Sequence, residues 1–180
     1  MAQTRMTEKV AILVGSDSDL PVMTAATKIL EEFSVPFTIT VASAHRSPER
    51  TVALIEQFHK NGVKVLIAAA GMAAHLAGVI AAHFPLPVIG VPLKSGALSG
   101  LDALFATVQM PPGIPVATVG INNAQNAALL AVQILATSDH ELEKKIIAYK
   151  KSLAEKVEKK AKALEDKGVS QYINEHLKNS

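Results

Sequence analysis

The 180-residue chain predicts an α/β protein, a parallel sheet covered by helices on both faces, followed by a helical extension. Three observations predict it. Short apolar runs alternate with amphipathic stretches up to about Thr137. Those runs are almost continuously hydrophobic, which is how strands read when both faces of a parallel sheet are buried. Beyond Thr137 the pattern changes to a long Lys/Glu-rich helical one.

In order, strands are expected at Val10–Val14, Phe37–Val41, Val63–Ala70, Val88–Val91 and Val116–Val119, each flanked by Gly, Pro, Asn or Ser. Helical patterns lie between and after them, at about Leu20–Phe33, Pro48–Asn61, Ala73–His83, Gly100–Val108 and Asn123–Thr137. A long helix over roughly Asp139–Lys167 follows, with Gly168 as its stop and a short final helix to Lys178. Leu142, Ile146, Tyr149, Leu153 and Val157 fall three or four residues apart and make an apolar stripe on it. Residues 1–138 form the α/β body and 139–180 an extension of the same domain. Because the body already covers its sheet, the stripe is expected to pack on a neighbouring subunit, with packing back on its own sheet as the alternative.

Composition narrows the chemistry. With 49% hydrophobic residues the chain can bury one substantial core, and with no Cys, no Trp and 4% aromatics that core must be Ala, Val, Ile and Leu. Disulfides, thiolate metal sites and cysteine nucleophiles are excluded. The first nine residues are polar, and the apolar run after them is interrupted by Asp17 and Asp19 too soon for a signal or membrane segment. A soluble cytoplasmic protein is expected. The net charge of +2 arises in the tail, where lysines and glutamates alternate along a helix; that is a solvated face, and no nucleic-acid partner is expected.

In a parallel α/β sheet, ligands bind beyond the carboxyl ends of the strands. Four loops belong to that edge. Gly15-Ser16-Asp17-Ser18-Asp19 opens the first strand into a helix, and its backbone N–H groups and small hydroxyls suit a phosphate or sugar. Two carboxylates beside an anion are unusual, so at least one of them is expected to hold something else, such as ribose hydroxyls or a protonated group; helix capping is the alternative for any single member. Ser43-Ala44-His45-Arg46-Ser47-Pro48 follows the second strand, with Pro48 in the first turn of a helix and Ser47 at its cap. Arg46 suits a phosphate or carboxylate, and His45 suits proton transfer.

The third loop, Ala70-Gly71-Met72-Ala73-Ala74-His75, is small enough for close backbone approach to a ligand; His75 is either a core histidine or a supporting group. The fourth, Gly90 to Asp102, is Gly/Ser-rich and is either a mobile cover or an ordinary connection. There is no Gly-Lys-Ser/Thr phosphate loop, no Gly-x-Gly-x-x-Gly after the first strand and no His/Glu pair at metal-ligand spacing. The residues alone lead to a small phosphorylated, ribose-like substrate handled by histidine acid–base chemistry.

Gly15-Ser16-Asp17-Ser18-Asp19, Ser43-Ala44-His45-Arg46-Ser47-Pro48, Ala70 to Gly78 and Val108 to Val116 together closely resemble the N5-carboxyaminoimidazole ribonucleotide mutase family, over about Lys9 to Leu135. The resemblance implies a three-layer α/β/α body with a flavodoxin-like parallel sheet. It also implies an octamer with the C-terminal helices reaching onto neighbours, and a carboxylate moved from the exocyclic nitrogen of an aminoimidazole ribonucleotide to ring carbon 4, without metal, ATP or cofactor.

His45 matches the family's acid–base histidine. Ser16, Asp19 and Arg46 match substrate-binding positions; their chemistry assigns Asp19 to ribose hydroxyls, Arg46 to phosphate and Ser16 to the reacting carboxylate. Ser18, Ser43, Gly71, Ala73 and His75 match supporting positions around the ligand. Met72 and Ala77 stand where the family has Gly and Pro, and the stretch Gly120 to Ala127 is shorter than usual. Direct carboxylation of aminoimidazole ribonucleotide by CO2 is the nearest alternative, disfavoured by Arg46 after His45 and by His75. A non-catalytic flavodoxin-like nucleotide-binding module is the remote one.

Overall fold

The computed structural model describes residues 8–176. Five parallel strands, β1 (Val10–Val14), β2 (Phe37–Val41), β3 (Val65–Gly71), β4 (Val88–Leu93) and β5 (Ala117–Thr118), lie in the order β2-β1-β3-β4-β5. Register runs Val10 to Phe37 on one side and Val10 to Val65 on the other, then Leu66 to Val88 and Ile89 to Ala117. Both β1 and β4 are buried throughout, as their unbroken apolar sequences require, whereas the edge strand β2 alternates Thr with apolar residues and is only half-buried.

Helices α1 (Leu20–Glu32), α2 (Pro48–Lys60), α3 (Leu76–His83), α4 (Leu101–Val108) and α5 (Ala124–Ala136) connect and follow the strands. On one face α1 packs with α5, and on the other α2 packs with α3. The second face is held by Leu13, Ile55, Phe58, Leu66 and Ile80, among others, all buried. Gly90 in β4 lets α4 approach, since a Cβ there would collide with Thr107 Cγ2 and stand 3.4 Å from Ala77 Cβ.

The element order agrees with the sequence; several boundaries move. β3 starts at Val65 and runs to Gly71, and β4 continues through Pro92 to Leu93. β5 keeps only two of its four expected residues, although Val119 N still donates to Gly90 O at 3.1 Å; Pro115, just ahead of it, has no N–H to extend the ladder backward. α3 starts at Leu76 and not at Ala73, because Met72 is left-handed (φ 56°) and short i→i+2 bonds, Ala74 N to Met72 O and His75 N to Ala73 O, occupy the next residues.

Residues 139 onward form a separate unit, the helix α6 (His140–His176), broken at Gly168 where φ 71° and ψ 162° are open to glycine alone. Lys178 lies outside the described residues. Leu153 and Val157 of the stripe are exposed, and Ile146 is buried. No helix among the described residues is long and apolar enough to cross a membrane.

Candidate active site

Strand β1 ends at Val14 and the chain turns at once into a short 3₁₀ turn, Asp17–Asp19. Ser16 is extended and caps it: its Oγ accepts from Ser18 N (3.4 Å), while Asp19 Oδ2 accepts from Ser16 N (3.0 Å). This reciprocal arrangement is a capping box, so the helix-cap reading is realised for Ser16. It also fixes the loop that carries the two hydroxyls, with Ser18 Oγ donating to Ser16 Oγ at 3.0 Å. Burial raises the Asp19 pKa above its ordinary value; the Ser16 N–H opposes this, Asp17 adds to it and the Arg46 guanidinium opposes it.

After β2, Ser43 and Ser47 clamp the second loop. Ser47 Oγ accepts from Ser43 N and donates to Ser43 O, both at 3.2 Å, and Arg46 N donates to Ser43 Oγ at 3.2 Å. Ser47 stands at the cap position of α2 but spends its hydroxyl on this clamp and not on the helix. The outcome is a rigid platform for His45 and Arg46. Arg46 Nη2 reaches across to Gly15 O at 3.1 Å, tying the second loop to the first.

The third loop comes from the end of β3. His75 sits at the cap of α3, and its Nδ1 lies 2.9 Å from His45 Nε2 with the rings nearly perpendicular (70°). At that distance one nitrogen donates and the other accepts, so the tautomer of one histidine sets that of the other. Gly71 is required by close packing: a Cβ there would run into Ser95 Oγ from the fourth loop, which accepts from Met72 N at 3.0 Å. Asn122 fixes the base of that fourth loop, its Oδ1 accepting from Lys94 N (2.8 Å) and its own N–H donating to Pro92 O (2.9 Å).

These loops enclose a cavity of about 500 Å³ that gathers all nine residues singled out from the sequence: Ser16, Ser18, Asp19, Ser43, His45, Arg46, Gly71, Ala73 and His75. Sequence reasoning missed Ser95 and Leu76, which also line it. Ser95 was hidden in a loop of repeated Gly and Ser, and its approach to Gly71 and its bond from Met72 N distinguish it from Ser99. Met72, noted as a departure, stands at the cavity with 63% of its surface exposed. Among the described residues, no cluster of three His, Asp or Glu side chains is placed to hold a metal ion. The arrangement offers one cation, a hydroxyl-rich rim and a paired imidazole, which suits binding an anionic sugar derivative and moving a proton at its other end.

Comparison with known proteins agrees. The model of the AIR carboxylase family matches residues 9–156. The N5-carboxyaminoimidazole ribonucleotide mutase of Pyrococcus horikoshii is 56% identical over 92% of this chain and 94% of its own length, and that of Thermotoga maritima is 50% identical over 93% and 98%. A phosphoribosylaminoimidazole carboxylase from Saccharomyces cerevisiae is 51% identical over 91% of this chain, which spans only 29% of that longer protein. The crystal structure of Treponema denticola PurE superposes with a TM-score of 0.80 at 29% identity, covering 86% of this chain and 97% of that one. The chain belongs to the AIR carboxylase family.

Proposed function

We propose that this chain is an N5-carboxyaminoimidazole ribonucleotide mutase, an isomerase of purine biosynthesis. The observation that carries the reading is the His45–His75 pair, 2.9 Å apart, in a cavity whose other polar side chains are serine hydroxyls, one carboxylate and one guanidinium. In the reaction the C–N bond to the carboxylate breaks, its electron pair returns to nitrogen as His45 delivers a proton there, and CO2 stays in the cavity. Ring carbon 4 then bonds to CO2 and gives its proton back to His45. The sum is an isomerisation with no external acid, base, ATP or cofactor. Arg46 binds the phosphate, Asp19 the ribose hydroxyls and Ser16 the carboxylate, with Ser18, Ser43, Gly71, Ala73 and His75 around the ligand.

The test follows the carbon. With label in the carboxylate on the exocyclic nitrogen and unlabelled bicarbonate in excess, most label should arrive on carbon 4. Near-complete dilution, with fast turnover of aminoimidazole ribonucleotide at modest bicarbonate, would overturn the mutase reading in favour of direct carboxylation.

The protein works in the cytoplasm as a homo-oligomer, an octamer by family resemblance. Exposed apolar side chains support assembly: Leu101, Phe105 and Val108 in one row on α4, and Leu153 and Val157 of the α6 stripe. Truncation after Asp139 should lower the number of subunits per particle seen by light scattering, and an unchanged subunit number would remove α6 from the assembly.

A further inference from the structure

We propose that Ser95 is a further substrate-binding residue, its hydroxyl donating to the carboxylate that migrates; this rests on the mutase reading. The hydroxyl is half-buried at the cavity wall and already accepts from Met72 N at 3.0 Å, and among the described residues no protein group takes its own proton. An O–H so placed can serve only a ligand acceptor or water. Its position is built. Asn122 holds the adjoining Lys94 N–H at 2.8 Å, and the bare Cα of Gly71 gives Ser95 the room it occupies.

Location selects the acceptor. Arg46, the cation of the cavity wall, belongs to the β2 loop and reaches the β1 loop at Gly15. Ser95 belongs to the β4 loop, with β1 and β3 between it and β2 in the sheet, and its hydroxyl meets the β3 loop at Met72 N, one strand beyond the β1 loop that Arg46 reaches. A phosphate held by Arg46 therefore leaves Ser95 to the other end of the substrate. His45, although it follows β2 beside Arg46, is met at 2.9 Å by His75, four residues beyond the Gly71 that Ser95 covers, so the proton-transfer pair spans the β2 and β3 loops and reaches toward the Ser95 side. The acceptor at the reacting end of this substrate is its carboxylate.

Two ligands differing only in that group decide the matter. Calorimetry with 4-carboxy-5-aminoimidazole ribonucleotide and with aminoimidazole ribonucleotide should show Ser95→Ala weakening the first by about 10- to 100-fold, the range for a hydrogen bond to a charged group, and the second by no more than about twofold. Ser95→Thr should keep the wild-type ratio of the two affinities, and Ser95→Cys, a weaker donor, should fall between. Equal losses for both ligands would make Ser95 a mere support for the third loop and overturn the proposal, as would no loss for either. A wild-type chain that binds neither nucleotide would overturn the functional reading itself, an outcome distinct from both.

Discussion

Two hollows lie at opposite ends of the sheet, and the larger is the less equipped. The one at the strand starts, about 840 Å³, is lined by Pro85, Leu86, Pro87 and Pro115 with His59 and His83, while the one at the carboxyl ends holds about 500 Å³. In the larger, His59 sets its ring edge-on to Phe84 at 5.9 Å, a packing contact. In the smaller, a histidine meets another histidine at hydrogen-bond distance. The cause is topological. Parallel strands joined by helices gather helix N-termini, with their free N–H groups and partial positive charge, at the carboxyl edge, and gather helix C-termini at the other. Volume is a by-product of loop lengths; chemistry follows the direction of the chain.

His45→Asn should break the comparison most severely, lowering turnover about 10³-fold, within the range for general acid–base catalysis, with substrate affinity kept within a few fold. Turnover within tenfold of wild type would remove His45 from the chemistry. Gly71→Ala comes next. The added Cβ must push Ser95 away, so an increase in KM of about tenfold or more is expected with little change in melting temperature. An unchanged KM would mean that the fourth loop moves freely.

Met72 allows a smaller, energetic test. At φ 56° it carries left-handed strain that glycine does not, so Met72→Gly should be more stable than Met72→Ala by about 1 kcal/mol in denaturant unfolding. Equal stabilities would show that the turn relaxes. Asp19 tests the electrostatics. Its folded pKa is raised, so the folded state holds its proton more tightly than the unfolded chain does. Stability from this group is fully present below the unfolded pKa of about 3.9 and is lost as pH rises from there through the folded pKa. The melting-temperature gap between wild type and Asp19→Asn should therefore shift against wild type as pH rises through that window, and a flat gap would contradict it. At the far hollow, His59→Ala and His83→Ala should leave turnover within about twofold, and a larger loss in either would make that end a working site.

Much of the site was legible because its groups come in short contiguous runs. Ser16 to Asp19 and Ser43 to Ser47 each close their own hydrogen bonds within four residues, so local sequence states both the loop and what it carries. Boundaries were less legible where a local rule met a tertiary one. Ala73 and Ala74 favour helix, yet the left-handed Met72, pinned by Ser95 from 23 residues away, delays α3 to Leu76.

The sequence by itself determined the order of strands and helices, the burial of β1 and β4 and the residues of the first two loops, since hydrophobic period, Gly, Pro and capping hydroxyls act over a few residues. Only the tertiary structure decided that His75 faces His45 across 30 residues, and that Ser95 and not Ser99 stands over Gly71 with Asn122 fixing its loop from 28 residues away. Those contacts depend on the order β2-β1-β3-β4, which places loops side by side that are far apart along the chain, and no local propensity encodes such a neighbour.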